Sequence, residues 1–309
     1  LYLNTTGTQN TAVGKDALKS QTTGGYNTAV GFGAMDAQTT AEYSVAFGRN
    51  ALTSATTGGA NTAVGDTALG ANTTGTNNVA VGYAALEANT TAANNTAVGR
   101  EAGKSITTSA DNVYIGKGAG YGTTTSYGAN VAIGKDAFYT NTTGYSQTAV
   151  GSGALYLNTT GNQSTALGYQ SLYSNTTASN NTGIGYYALR LNTTATGNSA
   201  VGAGALSANT TGHSNTAMGH NAMRVNSTGD ENVALGWEAL EENTTADFNT
   251  AIGKHAGQKN TTGTKNTFIG QGTSRFNTTG VENTSVGQES SHTNTTGSKN
   301  AVLGRGAFY

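Results

Sequence analysis

The sequence predicts an all-β fold, a parallel β-solenoid of about eighteen 17-residue coils, and three observations carry that prediction. One glycine returns at positions 14, 31, 48, 65, 82, 99, 116, 134, 151, 168, 185, 202, 219, 236, 253, 270, 287 and 304, always 17 residues apart except for 18 between Gly116 and Gly134. The unit between glycines, N-T-A-V-G-x-x-A-L-x-x-N-T-T-G-x-x, is dominated by Thr, Val, Asn and Gly, and no apolar stripe at helical spacing runs through it. No shift of composition interrupts the series, so residues 1–309 read as a single continuous repeat array.

The first element of each unit is a short strand ending at the marker glycine. The residue before that glycine is always large and apolar, as in Val13, Phe47, Met218, Ile252 and Leu303. Two positions earlier stands Thr or Val, except at Ser199 and Ala301. Side chains alternate along a strand, so these two positions share one face and the intervening residue, mostly Ala, takes the other. The marker glycine reads as a bend, where positive φ or close backbone approach excludes a Cβ. A second apolar step follows, Ala17-Leu18, Ala34-Met35, Ala51-Leu52, read here as apolar groups on both faces. Seventeen residues at ~3.3 Å each trace roughly 56 Å, enough for a flattened two-strand or three-sided coil, and eighteen coils at ~4.8 Å make a rod of roughly 85 Å. The extra residue after Gly116 must lie in a loop, within 121–129. An insertion inside a strand would turn every later side chain to the wrong face, yet the pattern resumes intact at Asn130-Val131-Ala132-Ile133-Gly134.

Composition narrows the function. Leu, Ile, Val and Phe total 45 of 309 residues, a low level, so order must come from repetition rather than from a large conventional core. With 15 basic and 16 acidic residues the chain offers neither a basic face for nucleic acid nor a strongly acidic surface. The absence of Cys rules out disulfides, thiolate metal sites and thiol nucleophiles. No apolar run approaches the ~18 residues of a membrane span. Apolar residues on both strand faces leave one face as a stripe outside the coil, which predicts self-association, most simply three parallel copies around one axis.

The runs Asn78-Val79-Ala80-Val81-Gly82, Asn130 to Gly134 and Asn232-Val233-Ala234-Leu235-Gly236 resemble the head repeats of trimeric autotransporter adhesins and the repeats of phage tail-fibre proteins. The resemblance covers the whole chain. It implies a left-handed parallel β-roll, assembly as a parallel homotrimer, and an extracellular binding rod. The family's head repeat is shorter, and the added N-T-T-G segment is this chain's departure from it.

Thirteen units carry Asn-Thr-Thr or Asn-Ser-Thr, which makes Asn4, Asn72, Asn89, Asn141, Asn158, Asn175, Asn192, Asn209, Asn226, Asn243, Asn260, Asn277 and Asn294 candidate N-glycan acceptors; Asn94, Asn162, Asn180 and Asn283 also match. Against a glycan stands a turn role, with Asn and Thr side chains stacked in ladders. Gln21, Gln38, Ala55, Ile106 and Thr123 replace the Asn, yet two Thr still follow each of them, so the Thr pair has a structural role of its own.

No catalytic, metal or cofactor site is expected. The four His residues, 213, 220, 255 and 292, do not recur in register with one another. Gly99 to Ser105 has three residues between its glycines where a phosphate loop needs four. The pairs Glu241-Glu242 and Asp230-Glu231 read as solvated, and the tyrosines at 26, 83, 145, 169, 186 and 187 as a covering of the rod or a filling between chains. The expected function is therefore structural: a segment of an extracellular fibre or stalk on a cell surface or virion, excerpted from a longer chain, that spans distance and supports attachment. Partners are further copies of itself and a cell-surface glycan or receptor, with no nucleic acid and no membrane span. The alternatives are a glycan-binding or glycan-coated surface along the rod, an ice-binding face, and a polysaccharide-degrading solenoid.

Overall fold

A computed structural model describes residues 1–124 and 127–308. The chain is an all-β parallel solenoid with no helix among the described residues, and it divides into two compact units, Leu1–Thr160 and Gly161–Tyr309. The first unit holds nine three-residue strands, β1 (Thr11–Val13) to β9 (Thr148–Val150). The second holds nine more, β10 (Thr165–Leu167) to β18 (Ala301–Leu303). Within each unit every strand pairs in parallel with the next and like faces like: Thr11 opposite Thr28, Ala12 opposite Ala29, Val13 opposite Val30 in the first, and Thr250, Ala251 and Ile252 opposite Thr267, Phe268 and Ile269 in the second. One coil per 17-residue repeat sets each strand residue opposite its equivalent in the next coil.

Each coil contains one strand, not the two or three extended segments its length allows. The reason lies in the backbone after the strand. The marker glycine has φ between 120° and 146°, and the residues two and four places beyond it are left-handed, as at Asp16 (61°) and Leu18 (48°) or Asn50 (53°) and Leu52 (51°). A chain that changes hand at alternate residues cannot extend, so it travels as consecutive bends. The bends still bond coil to coil: Leu18 N donates to Ala34 O at 3.0 Å, and Thr22 N to Thr39 O at 2.9 Å. The same geometry corrects the reading of the Ala-Leu step. Ala17, Leu18, Ala34, Met35, Ala51 and Leu52 are all buried, because alternation between faces holds only for extended backbone. The marker glycines behave as predicted: a Cβ on Gly31 would lie 2.3 Å from the carbonyl oxygen of Gly48.

The interior is a set of columns. The middle strand residue points inward, and from Ala29 to Ala251 the alanines there are fully buried, beside the buried Ala and Leu of the bends. Where this column carries a ring, neighbouring columns give way. Tyr114 is fully buried, and the Leu position of its own coil and of the preceding one is Gly120 and Gly103, where a Cβ would come within 2.7 and 2.9 Å of the Tyr114 ring. The Tyr114 hydroxyl donates to Thr123 Oγ1 at 3.3 Å, and burial raises its pKa well above the usual phenol range. Phe268 repeats the arrangement with Gly257, where a Cβ would lie 2.5 Å from the ring. Volume is conserved across rungs, as dense packing requires.

The extra residue is bracketed by the bonding pattern. Thr107 Oγ1 bonds Thr124 O, 17 residues on, whereas Asn130 N bonds Asn112 Oδ1, 18 residues back. The insertion therefore falls between Thr124 and Asn130, inside the predicted 121–129, in a stretch whose residues 125 and 126 lie outside the described residues.

Candidate functional surface

Most candidate acceptor asparagines lie inside the coil, Asn283 among them, whereas Asn94 and Asn180 are exposed and Asn162 is half-buried. Asn72, Asn89, Asn141, Asn158, Asn175, Asn192, Asn209, Asn226, Asn243, Asn260 and Asn277 are buried; Asn4 is exposed and Asn294 half-buried. Their Nδ2 atoms, the atoms an N-glycan would occupy, donate along a ladder: Asn209 to Asn192 Oδ1, Asn226 to Asn209 Oδ1 and Asn243 to Asn226 Oδ1, at 3.0, 2.9 and 2.8 Å. Each also closes its own turn three residues on, as Asn226 does to Gly229 O at 3.0 Å. A second buried ladder, absent from the sequence reading, precedes each strand. Asn232 N donates to Asn215 Oδ1 at 3.0 Å, and Asn232 Nδ2 donates to Ala246 O at 2.8 Å. An amide side chain suits both columns because it donates and accepts at once, the requirement of an endless ladder in a dry interior. A glycan on any of the buried acceptors has no room in the folded coil. The Thr pair divides its labour: the first hydroxyl donates to the next coil, as Thr73 Oγ1 to Thr90 O at 3.1 Å, while the second, such as Thr74 or Thr211, is exposed.

Outside, the strand presents the two residues flanking the inward Ala. The one before the marker glycine forms an apolar column in each unit. Exposure is 57% at Phe47 in the first unit and 48% at Met218 in the second, and reaches 82% at Leu303 in the terminal strand. The position just after the glycine adds exposed rings, Phe32 and Tyr83 in the first unit and Tyr169, Tyr186 and Trp237 in the second. Tyr169 stacks on Tyr186 at 5.5 Å, the spacing of adjacent coils, and at other positions of the coil Tyr26 stacks on Tyr43 at 5.0 Å and Tyr139 on Tyr156 at 5.2 Å.

Charged residues also pair at the coil repeat. Arg49 meets Asp66 at 2.8 Å, and that hydrogen bond holds the guanidinium pKa up. In the second unit Arg224 Nε donates to Glu241 (3.1 Å), Gln258 Nε2 donates to both Glu241 and Glu238 (2.9 and 2.8 Å), and Arg275 Nε donates to Gln258 Oε1 (2.8 Å). His255 Nε2 lies 3.1 Å from Glu238, yet burial, with Arg275 and Lys254 nearby, lowers its pKa against the opposing pull of that carboxylate. Glu241 and Glu242 are thus engaged rather than freely solvated, Glu242 with Lys259. The signal was present in the sequence as acid, amide and base 17 residues apart, and comparing His only with His misses it. Gly99 to Ser105 lies in the bends, with Gly103 backing Tyr114. Among the described residues no group of three or more His, Asp or Glu is placed to hold a metal ion, and no helix is long and apolar enough to cross a membrane.

No protein-family model matches this chain, and no curated protein matches it.

Proposed function

We propose that the chain is a structural segment of an extracellular fibre, of the phage tail-fibre or surface-adhesin stalk type, which spans distance and supports attachment made elsewhere. The observation that carries this reading is the outward apolar column, repeated strand after strand in both units over an interior built of nothing but packing and ladders. Water-facing Val, Ile, Leu, Met and Phe in a row favour burial against further copies, at about 25 cal/mol for each Å² covered. The proposal includes left-handed coils and three parallel copies around that face, and assigns the chain no catalysis and no cofactor. Native mass spectrometry and electron microscopy test it. Three-chain assemblies and elongated particles are expected, with Ile252→Asp, on the outward column, weakening assembly while the coil stays folded. A species of one chain, 31.0 kDa, at every concentration overturns it.

A second reading, a glycan-binding surface, is favoured by the exposed rings of Tyr169, Tyr186 and Trp237. Retention on immobilised polysaccharide that Trp237→Ala abolishes would support it; retention unchanged by that substitution would count against it.

A further inference from the structure

Three coils of the first unit carry a cation and then an acid after the marker glycine, Lys15-Asp16, Arg100-Glu101 and Lys135-Asp136, and the last two flank the coil of Lys117 on either side. Two of these are ion pairs within the coil, Arg100 with Glu101 and Lys135 with Asp136, both at 3.6 Å. The coil between them keeps the cation and lacks the acid, since Lys117 is followed by Gly118. The missing side chain leaves a pit of 200 Å³ lined by Glu101, Lys117, Gly118, Asp136, Tyr139 and Tyr156. Gly118 is its floor: a Cβ there would lie 2.6 Å from Asp136 Oδ1 and 3.2 Å from the Tyr139 ring.

The charges around the pit do not balance. Glu101 is matched by Arg100 and by Lys104 at 3.3 Å, Lys104 also reaches Glu87 at 3.7 Å, and Asp136 is matched by Lys135. Lys117 has no carboxylate within ion-pair distance among the described residues, which leaves one cation in excess where the acid is absent. The walls carry two carboxylates that accept hydrogen bonds, Glu101 and Asp136, beside the rings of Tyr139 and Tyr156. Partial burial and the neighbouring Tyr121, Tyr156, Asp136 and Glu101 raise the Tyr139 pKa.

We propose that this pit binds a monosaccharide acid of the hexuronate class, its carboxylate on Lys117 in place of the missing side chain and its hydroxyls donating to Glu101 and Asp136. A charge-assisted hydrogen bond accounts for the selectivity over a neutral sugar, and the acceptor walls for the selectivity over a bare carboxylate.

Titration of the full chain with sodium glucuronate, followed by isothermal calorimetry, tests this against glucose and acetate as the neutral and bare-anion controls. Glucuronate is expected to bind about tenfold more tightly than either. Lys117→Gln and Gly118→Thr are each expected to weaken it by about tenfold. Gly118→Thr fills the pit at a backbone cost the coil tolerates, because Thr67 and Ala84 occupy the same place in their coils at φ 55° and 54°. Circular dichroism confirms that both variants remain folded. No binding of glucuronate, equal binding of glucose or of acetate, or glucuronate binding untouched in the folded variants would each overturn the proposal. None of these outcomes depends on how many chains assemble.

Discussion

Replacing Asn226 with Ala probes the ladder that the coil depends on. The side chain takes part in three hydrogen bonds, two donated by its Nδ2 to Asn209 Oδ1 and Gly229 O, and one accepted from Asn243 Nδ2. At about 1 kcal/mol net for each, the expected loss is ~3 kcal/mol, and Asn209 Oδ1 left without its donor in a dry interior pushes the figure upward. A graded control is built into the chain. Asn72 follows the coil in which Ala55 interrupts the ladder, so its side chain makes only the bonds to Gly75 O and from Asn89 Nδ2, and Asn72→Ala should lose ~2 kcal/mol. Thr211, exposed in the equivalent turn one coil before Asn226, should lose almost nothing. A long repeat array need not unfold in one step, so the measurement is native-state amide exchange rather than a melting point. Amides bonding coil to coil beside Asn226, such as those of Thr210 and Ser227, should exchange about 100-fold faster, and distant coils little changed. Asn226→Ala behaving like Thr211→Ala would refute the view that the ladder holds the coil together.

Other substitutions test other columns. Thr67 holds a β-branched side chain at φ 55°, where Gly33, Gly153 and Gly204 stand in other coils, so Thr67→Gly should stabilise by about 1 kcal/mol in urea denaturation. Tyr114→Ala should cost about 3 to 5 kcal/mol by opening a cavity beside Gly103 and Gly120; adding Gly120→Leu should recover part of that, read as a double-mutant cycle. Gly120→Leu alone should be strongly destabilising, since its Cβ would meet the Tyr114 ring at 2.7 Å. The folded-state pKa of His255 lies below its unfolded value, so its contribution is present above the unfolded pKa and is lost as pH falls through the folded one. Amide exchange around Glu238 and His255 should accelerate as the solution is acidified below about pH 6.5, and His255→Gln should flatten that dependence.

The repeat length, the strand ending at each marker glycine, the parallel in-register stacking and the positive φ of those glycines were legible in the sequence, because a 17-residue period constrains every coil identically. So was the presence of an outward apolar face, which follows from alternation along three extended residues. The path of the remaining residues was not. Whether Leu18 extends or turns left-handed is decided by the bonds it makes to Ala34 and by the space inside the coil, and local preference alone argues against that conformation for Leu. Tertiary structure likewise decided that the asparagines of the N-T-T-G turns face inward, where the motif alone serves a surface acceptor and a buried ladder equally well. It also set Glu238 beside His255 and opened the pit at Gly118. Each of these rests on what lies one coil above or below, a distance of 17 residues along the chain and a single hydrogen bond in space.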